Sequence, residues 1–428
     1  MLHRPRSRRQ AHSVLLRSFT MEIETRAGNI YSYDRWTGEI HAGNSLPDRS
    51  SWVYAPQPYF DELPDVDSFL LGLTEQCNLR CTYCCYSGSY SGKRTHGPKS
   101  MCTEDIDEIF DFIGSFTSRR PIRIFMYGGE PLLKHSVVQY VVEKGRERWG
   151  ECVDFTLSCN GTTLTHERID WLVSNKVVIA LSIDGTKDFH DLYRKDAKGE
   201  GSYSKVYDAI SYIKKAYLEY IKELVLIMTV ASFDKFPGIA EAWHADPVLS
   251  DLSPTMINSL APNFNTGVPR ADYDVVKGFF DSLLDLYEQH PDWILLSRLL
   301  ELCVSSWKDR PIFTPSGSVP MPTCMPTNTK LYIDSSLQIG VCEKISDQFR
   351  IGDVRGGVDW ESANAMVQQY YEQRKERCTC CPAVRMCNMC LTAIEHTDEQ
   401  WDILCHNERV YMQVYMYLFC EMAERGML

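Results

Sequence analysis

The middle of the chain alternates short apolar runs with longer amphipathic stretches. Between residues 68 and 260 the apolar runs are SFLLGL, PIRIFMYGGE, VDFTLSCNG, KVVIALSIDG, ELVLIMTV and SPTMINSL. The stretches between them repeat apolar residues at helical spacing, as in HSVVQYVVEKGRERW, and Thr103 is the predicted N-cap of the first helix. Strands that alternate with helices build a parallel sheet. The pattern therefore predicts an α/β fold, a partial (β/α)6 TIM-like barrel over residues 67–265.

Three other segments flank this barrel. Residues 1–66 contain an alternating stretch around a Thr-Gly turn, which predicts a small β-hairpin module behind an N-terminal tail. The tail carries five Arg and no acid, so an organelle transit peptide and a start at Met21 are the alternatives. Residues 266–315 have helical periodicity and predict a bridge. Residues 316–428 hold many cysteines and predict a separate domain of short strands and loops that ends in a helix.

Composition narrows the function classes. The chain has 45 Lys and Arg against 57 Asp and Glu, a net charge of −12, which disfavours nucleic acid as the partner. No apolar run approaches the roughly 20 residues that span a bilayer, and the first residues lack the apolar core of a secretion signal. We therefore expect a cytoplasmic protein that acts on a small molecule or peptide. Seventeen cysteines in a reducing compartment point to metal ligation rather than disulfides.

The first cysteine cluster follows the first predicted barrel strand directly. In TEQCNLRCTYC, Cys77, Cys81 and Cys84 have the spacing C-x3-C-x2-C. Three thiolates can hold three irons of a cubane and leave the fourth iron open to another ligand. The alternative is a zinc site, for which the adjacent Cys85 would be the fourth ligand.

This motif resembles that of the radical S-adenosylmethionine (SAM) superfamily. The resemblance implies that the open iron chelates the amine and carboxylate of SAM, which is cleaved to a 5′-deoxyadenosyl radical that abstracts hydrogen from the substrate. It also implies that Tyr83 packs near the adenine.

The resemblance extends to further strand ends, which lie at the edge where parallel barrels place their sites. It implies that the GGEP segment binds the methionine amine and that Arg194, in FHDLYRKDAKGEGSYSKV, binds the methionine carboxylate. Polar residues after the third and fourth strands are candidates for the ribose hydroxyls, whereas Met228 is expected to belong to the core. The predicted SAM-binding residues are thus Tyr83, Gly128, Gly129, Glu130, Ser158, Asn160, Ser182, Asp184 and Arg194.

The C-terminal cysteines resemble the SPASM domain of radical enzymes, which houses up to two auxiliary [4Fe–4S] clusters. The resemblance implies a distal cluster on Cys378, Cys381, Cys387 and Cys405, and a proximal one on Cys324, Cys342 and Cys390. With the first cluster, three [4Fe–4S] clusters are expected. The sequence departs from the family pattern at two points. Leu337 takes the place of a glycine, and two residues, rather than three, lie between Cys387 and Cys390. The proximal cluster then lacks a fourth ligand: an open iron that binds a substrate thiolate is the preferred alternative, and Cys303 is a weaker candidate.

Enzymes with this pair of domains commonly modify peptides. We expect a peptide maturase that forms a thioether or C–C crosslink in a ribosomal precursor peptide, with Glu343 as a candidate base and flavodoxin or ferredoxin as electron donor. One alternative is an anaerobic sulfatase-maturating enzyme, which oxidises Cys or Ser to formylglycine. The other is a zinc-binding scaffold without catalytic activity.

Overall fold

The structure is a computed structural model of the chain. It describes residues 21–46, 53–54, 66–90, 93–116, 121–259, 269–310, 312, 318–319, 330–345, 347–378, 381–387 and 389–428. The predicted N-terminal tail and the candidate ligand Cys324 lie outside these ranges. In the part of the chain that is described, no helix has the length and apolarity needed to cross a lipid bilayer.

The N-terminal module is an antiparallel sheet of three strands. The predicted hairpin is confirmed as β2 (Ile30–Tyr33) and β3 (Ile40–Ala42), and an additional strand, β1 (Met21–Glu24), pairs with β2. A two-residue strand, β4 (Val53–Tyr54), follows. Met21 and Ile23 alternate with exposed glutamates and pack in one apolar cluster with the C-terminal helix. The module is therefore attached to the end of the chain.

The six predicted barrel strands are all present. They are β5 (Ser68–Thr74), β6 (Ile122–Gly128), β7 (Val153–Cys159), β8 (Val177–Ser182), β9 (Val225–Val230) and β10 (Met256–Ser259). Each pairs in parallel with the next in sequence. The prediction of a partial six-stranded parallel barrel is confirmed, and the carboxyl ends of all six strands meet at one edge.

Ten α-helices are described. They are α1 (Thr103–Gly114), α2 (His135–Trp149), α3 (His166–Ser174), α4 (Lys187–Tyr193), α5 (Tyr203–Ala216), α6 (Phe236–Ala245), α7 (Tyr273–Gln289), α8 (Ile294–Lys308), α9 (Trp360–Cys378) and α10 (Asp398–Glu424). Apolar side chains of most of them share one core with the barrel strands.

Two sequence predictions about helices were wrong. Thr103 is the first residue of α1 rather than its N-cap, because the capping position is Cys102, whose N–H donates to the Asp105 carboxylate at 2.8 Å. Helix α9 was not predicted, since its many polar residues give almost no apolar periodicity.

The C-terminal region extends the barrel sheet beyond its first strand. Its strands are β11 (Ser318–Val319), β12 (Lys330–Ile333), β13 (Gln338–Gly340), β14 (Arg350–Asp353) and β15 (Gly357–Val358). β12 pairs in parallel with β5, and β13 to β15 follow in antiparallel order, which makes one sheet of ten strands. The two cysteine-bearing regions are thus joined through β5, the strand that leads directly into the first cysteine motif.

Candidate active site

The first cysteine motif forms a loop at the carboxyl edge of the barrel. Cys77, Cys81 and Cys84 follow the end of β5 and are partly exposed. The loop is paired with the chain after α4: the N–H of Arg80 donates to Lys195 O at 2.6 Å, and that of Thr82 to Tyr193 O at 3.1 Å. These bonds fix the loop against the segment that carries Arg194.

The GGEP turn after β6 clamps the chain just before Cys77. The N–H of Gly129 donates to Thr74 O at 2.7 Å, and that of Glu130 to Gln76 O at 2.8 Å. A Cβ at Gly128 would lie 2.4 Å from Thr74 O, and one at Gly129 would lie 2.2 Å from Gln76 O. Both positions therefore require glycine, because the two backbones are in direct contact.

The Glu130 side chain is directed into the protein. It is fully buried, and its two carboxylate oxygens accept the N–H of Leu132 at 3.0 Å and of Asn160 at 2.7 Å. Burial raises the pKa of Glu130 to about 7, against the opposing effect of these two bonds. The carboxylate thus connects the turn to the end of β7. Binding of SAM by this segment remains a prediction, and it would involve the backbone of the turn.

Polar groups surround the sulfurs of the loop. Asn160 Nδ2 lies 3.8 Å from Cys77 Sγ and also donates to Asn78 Oδ1 at 3.0 Å. His96 Nε2 lies 3.9 Å from Cys84 Sγ. The Asn160 N–H that points at Cys77 Sγ suits a ligand that carries negative charge when metal is bound. His96 Nδ1 faces Glu75 O at 3.3 Å, so in the neutral ring Nδ1 carries the proton and Nε2 is the acceptor.

A buried ion pair lies on the opposite side of the loop. Arg194 Nε donates to Asp184 Oδ2 at 2.7 Å, and Asp184 Oδ1 accepts the N–H of Thr229 at 2.8 Å. The Tyr83 hydroxyl donates to the same carboxylate, and the Arg194 guanidinium lies 5.4 Å from the centre of the Tyr83 ring. Three residues predicted separately from the sequence are thus in contact, although their binding of SAM stays a prediction.

Two further residues hold this ion pair in place. His190 Nδ1 accepts the N–H of Asp184 at 3.2 Å, so the proton of the neutral ring is on Nε2, 2.9 Å from Ser202 Oγ. Ser202 in turn donates to Arg194 O at 2.9 Å. Burial, followed by the charge of Arg194, lowers the pKa of His190 to about 4, so the ring is neutral.

The remaining predicted SAM-binding residues lie on the strands themselves. Ser158 and Ser182 are half-buried near the ends of β7 and β8 and are in register with Ala180 and Ile227 of the next strands. Met228 is fully buried in the core, as expected. The two serines lie next to fully buried residues on their strands, and successive side chains point to opposite faces, so both serines face away from the helix-packed side. Ribose binding by them remains a prediction.

The cysteines of the loop are not arranged as a zinc site. A tetrahedral zinc ion with Zn–S bonds of about 2.3 Å brings its sulfurs within about 4 Å of one another. Within the described residues, the only three ligand atoms that all lie within 4.8 Å of one another belong to Asp34, Glu39 and His41. The sulfurs of Cys77, Cys81 and Cys84 therefore do not form the tight set that a zinc ion needs.

The four predicted distal ligands surround one small cavity. Cys378 is the last residue of α9, Cys381 and Cys387 lie in the following loop, and Cys405 is in the first half of α10. All four line the cavity together with Arg374, Arg377 and Arg409. The structure therefore brings together four thiols that are separated by up to 27 positions in the sequence.

Two of the three predicted proximal ligands lie near one buried lysine. Burial lowers the pKa of Lys93, and the thiols of Cys390, Cys342 and Cys85 act in the opposite direction. By contrast, Cys303 is buried within α8 beside Tyr415. This location favours core packing for Cys303.

The turn before Cys342 keeps the conformation that a glycine would favour. Leu337 has φ of +61°, and its N–H donates to Asp334 O at 2.9 Å between β12 and β13. A non-glycine residue in this left-handed region costs about 1–2 kcal/mol. Leu337 thus occupies a left-handed backbone conformation that a glycine would adopt without this cost.

Glu343, the candidate base, is buried next to Cys342. Its Oε2 accepts from Lys330 Nζ at 3.0 Å and lies 3.4 Å from Cys342 Sγ. Burial acts to raise the pKa of Glu343, but Lys330 and Lys344 outweigh it and the pKa is lowered. The carboxylate is therefore ionised and paired.

A cavity of about 330 Å³ lies between the two cysteine-bearing regions. Gly128 and Thr74 contribute to it from the barrel edge, Tyr86 and Lys93 from the loop after the first motif, and Tyr332 from β12. The Tyr86 hydroxyl donates to Glu343 O at 2.7 Å, which joins the cysteine loop to the C-terminal region beside this cavity.

Several residues of the site were missed by sequence reasoning. His190 and Ser202 belong to the same HDLYR and GS stretches that identified Arg194, so their presence in that motif was an available signal. Lys93 and Arg374 follow no motif, and only the tertiary structure places them beside cysteines. Their place in the site can be recognised only when the structure shows which cysteines lie near them.

Comparisons with known proteins agree with this geometry. Residues 71–241 match the model of the Radical SAM superfamily. The chain is 30% identical over 148 residues to a serine-type anaerobic sulfatase-maturating enzyme of Bacteroides thetaiotaomicron, which covers 34% of this chain and 35% of that protein. It spans less than half the length of the first curated relatives that it matches.

Solved structures extend the similarity to most of the fold. The structure of a histidine-tagged anSMEcpe with bound AdoMet matches with a TM-score of 0.62 at 20% identity, over 84% of this chain and 98% of that one. Native anSMEcpe with bound AdoMet and Cp18Cys peptide matches with a TM-score of 0.55 at 18% identity, over 85% and 98%. The chain therefore shares the fold of these structures, and residues 71–241 form a radical SAM domain.

Proposed function

We propose that this protein modifies a ribosomally made precursor peptide by radical chemistry and forms a thioether or C–C crosslink. The observation that carries the proposal is the cavity between the two cysteine-bearing regions, which is lined from the SAM-binding edge on one side and from β12 on the other. A substrate in this cavity would lie beside the barrel edge and the loop after the first cysteine motif on one side, and beside strand β12 on the other. The peptide-bound anSMEcpe structure has the same fold.

The residues at the barrel edge would bind the cofactors. Cys77, Cys81 and Cys84 would hold the first [4Fe–4S] cluster, and the GGEP backbone and the Tyr83–Asp184–Arg194 group would orient SAM. When bound, the cluster and SAM together supply the one-electron cleavage that yields a 5′-deoxyadenosyl radical. An external donor such as flavodoxin or ferredoxin would deliver the electron.

The C-terminal array would hold two auxiliary [4Fe–4S] clusters. Cys378, Cys381, Cys387 and Cys405 would hold the distal one, and Cys324, Cys342 and Cys390 the proximal one. Glu343, ionised and next to Cys342, would accept a proton from the substrate after release from Lys330.

A second candidate function is formylglycine formation in a sulfatase. It is favoured by the sulfatase-maturating enzyme of Bacteroides thetaiotaomicron, which is 30% identical to this chain over 148 residues. The two functions share the radical step and differ in the substrate and the bond that is formed.

The experiment is anaerobic reconstitution followed by iron analysis and a 5′-deoxyadenosine assay. We expect about twelve irons per chain, four for each of three clusters. Cys77→Ala should abolish 5′-deoxyadenosine and remove about four irons, whereas Cys152→Ala, at an exposed cysteine, should change neither. Undiminished 5′-deoxyadenosine from Cys77→Ala would contradict the proposal.

Mass spectrometry then separates the candidate products. A precursor peptide that loses two hydrogens and one alkylatable thiol per event contains a thioether, and one with an unchanged thiol count contains a C–C bond. An aldehyde on a sulfatase peptide, detected with a hydrazide reagent, would instead support formylglycine formation.

A further inference from the structure

Arg374 is a buried arginine among the cysteines of the C-terminal array. Its side chain is 1% exposed, and it lines the same small cavity as Cys378, Cys381, Cys387 and Cys405. Its guanidinium donates to the Tyr370 hydroxyl at 3.3 Å and to Val384 O at 3.5 Å. A fully buried arginine is rare and needs a specific electrostatic reason.

The position of Arg374 follows from the helix that carries it. Arg374 and Cys378 are separated by four residues in α9, so they share one face of the helix at its C-terminal end. Burial acts to lower the pKa of Arg374, but the Tyr370 hydroxyl and the sulfurs of Cys387 and Cys378 outweigh it, and the pKa is raised. The guanidinium charge is thus directed at two of the four predicted ligands.

A neighbouring arginine, Arg377, is in a different environment. Arg377 also lines the cavity, but it is 28% exposed and forms ion pairs with Asp398 and, at 3.7 Å, with Asp402. Carboxylates and solvent therefore offset the charge of Arg377 at the outer side of the array. Arg374 lies inside with the sulfurs and with Glu408, a buried acid that lines the same cavity, and the low dielectric there makes the interaction of Arg374 with the sulfurs stronger.

A cluster held by four thiolates carries net negative charge, which grows when the cluster is reduced. A cation in direct contact therefore stabilises the reduced state more than the oxidised state and raises the reduction potential. A buried guanidinium with a fixed charge is suited to this function, since its pKa lies far above the physiological range.

We propose that Arg374 is the counter-charge of the cluster held by Cys378, Cys381, Cys387 and Cys405, and that it raises the reduction potential of this cluster. The proposal rests on the assignment of that cluster under the proposed function. Arg374 is a positioning residue in this scheme, since it acts through the cluster and touches no substrate.

The test uses the full-length chain with Cys77, Cys81 and Cys84 replaced by alanine, so that only the auxiliary clusters are present. Arg374→Gln removes the charge and keeps the approximate length, Arg374→Lys keeps the charge, and Arg377→Gln is the matched control. Iron content and a potentiometric titration followed by electron paramagnetic resonance are measured on each. We expect Arg374→Gln to shift one auxiliary signal to a more negative potential or to lose about four irons, whereas Arg374→Lys and Arg377→Gln stay near the parent.

Three other outcomes would overturn the proposal. Unchanged potentials and iron in Arg374→Gln would show that the charge does not act on the cluster. Equal losses in the Gln and Lys variants would show that geometry, rather than charge, is required. A parent protein without auxiliary iron would refute the cluster assignment itself, while 5′-deoxyadenosine formation by the wild-type chain would still test the radical step separately.

Discussion

The two cysteine-bearing regions differ in how their thiols are brought together. Cys77, Cys81 and Cys84 lie within eight residues of one loop, which backbone bonds fix to the GGEP turn and to the chain after α4. The distal thiols come from α9, the loop after it and α10. The first set is specified locally, by a short motif and its immediate neighbours, whereas the second set depends on how two helices pack.

The buried cations of the two regions differ as well. Arg194 beside the first loop is paired with the Asp184 carboxylate at 2.7 Å, so its charge is largely offset. Arg374 faces the sulfurs of the array. Under the proposal made for Arg374, we expect a lower reduction potential at the first cluster than at the distal one, which would suit a cluster that donates an electron to SAM.

The largest effect is expected from Gly129→Ala, which alters only the first region. The new Cβ would lie 2.2 Å from Gln76 O and 2.9 Å from Glu75 O, both backbone atoms, so the chain before Cys77 must move. We expect loss of about four irons and of 5′-deoxyadenosine, with the iron of the array retained. Iron analysis and a 5′-deoxyadenosine assay measure both.

A matched glycine provides the control for this substitution. Gly278 lies inside α7, and a Cβ there would meet no atom within 4 Å. Gly278→Ala should leave the iron unchanged and stabilise the chain by up to about 1 kcal/mol, the difference in helix propensity. If Gly129→Ala keeps all its iron, the clamp on the first loop is not needed to form that site.

The same contrast explains which features of the fold and the site could be predicted from the sequence. The six barrel strands were predicted because each is a short apolar run bounded by turn residues, and the first motif because its three cysteines are adjacent in sequence. Helix α9 was missed because its buried positions, although they recur at helical spacing, include polar residues such as Asn364 and Arg374, which interrupt the apolar stripe. Arg374 and Lys93 act through contacts between distant segments, which no local pattern encodes.

The pairing of Arg194 can be tested by Asp184→Asn. This variant removes the negative partner and leaves a buried guanidinium uncompensated, which costs about 3–5 kcal/mol in comparable buried pairs. We expect the free energy of unfolding, measured by urea denaturation, to fall by this amount. It should also disturb Tyr83, whose hydroxyl donates to the same carboxylate.

An exposed ion pair is the control for Asp184→Asn. Glu151 and Lys176 form a pair at 3.0 Å in which both side chains are largely exposed, so Glu151→Gln should leave the stability unchanged. A similarly small effect of Asp184→Asn would mean that Arg194 is not balanced by this carboxylate, and the contrast with Arg374 would then disappear.

A smaller effect is expected from pH, and it also belongs to the first region. Burial, followed by the charge of Arg194, lowers the pKa of His190 from 6.5 to about 4 in the folded chain. Below pH 6.5 the His190 ring therefore binds a proton in the unfolded chain but not yet in the folded chain. The stability that the neutral ring contributes above pH 6.5 is lost as the pH falls to about 4, and the loss is about 3 kcal/mol at 1.36 kcal/mol per pKa unit.

Urea denaturation between pH 7 and pH 4 measures this loss. His190→Gln should have a flatter pH dependence than the wild type over that window, whereas His166→Gln, at a half-exposed histidine of α3, should keep the wild-type slope. Comparison of each variant with the wild type at the same pH cancels the acid sensitivity of the clusters, which all three proteins share. Equal slopes in the wild type and His190→Gln would show that His190 does not make the first region sensitive to acid.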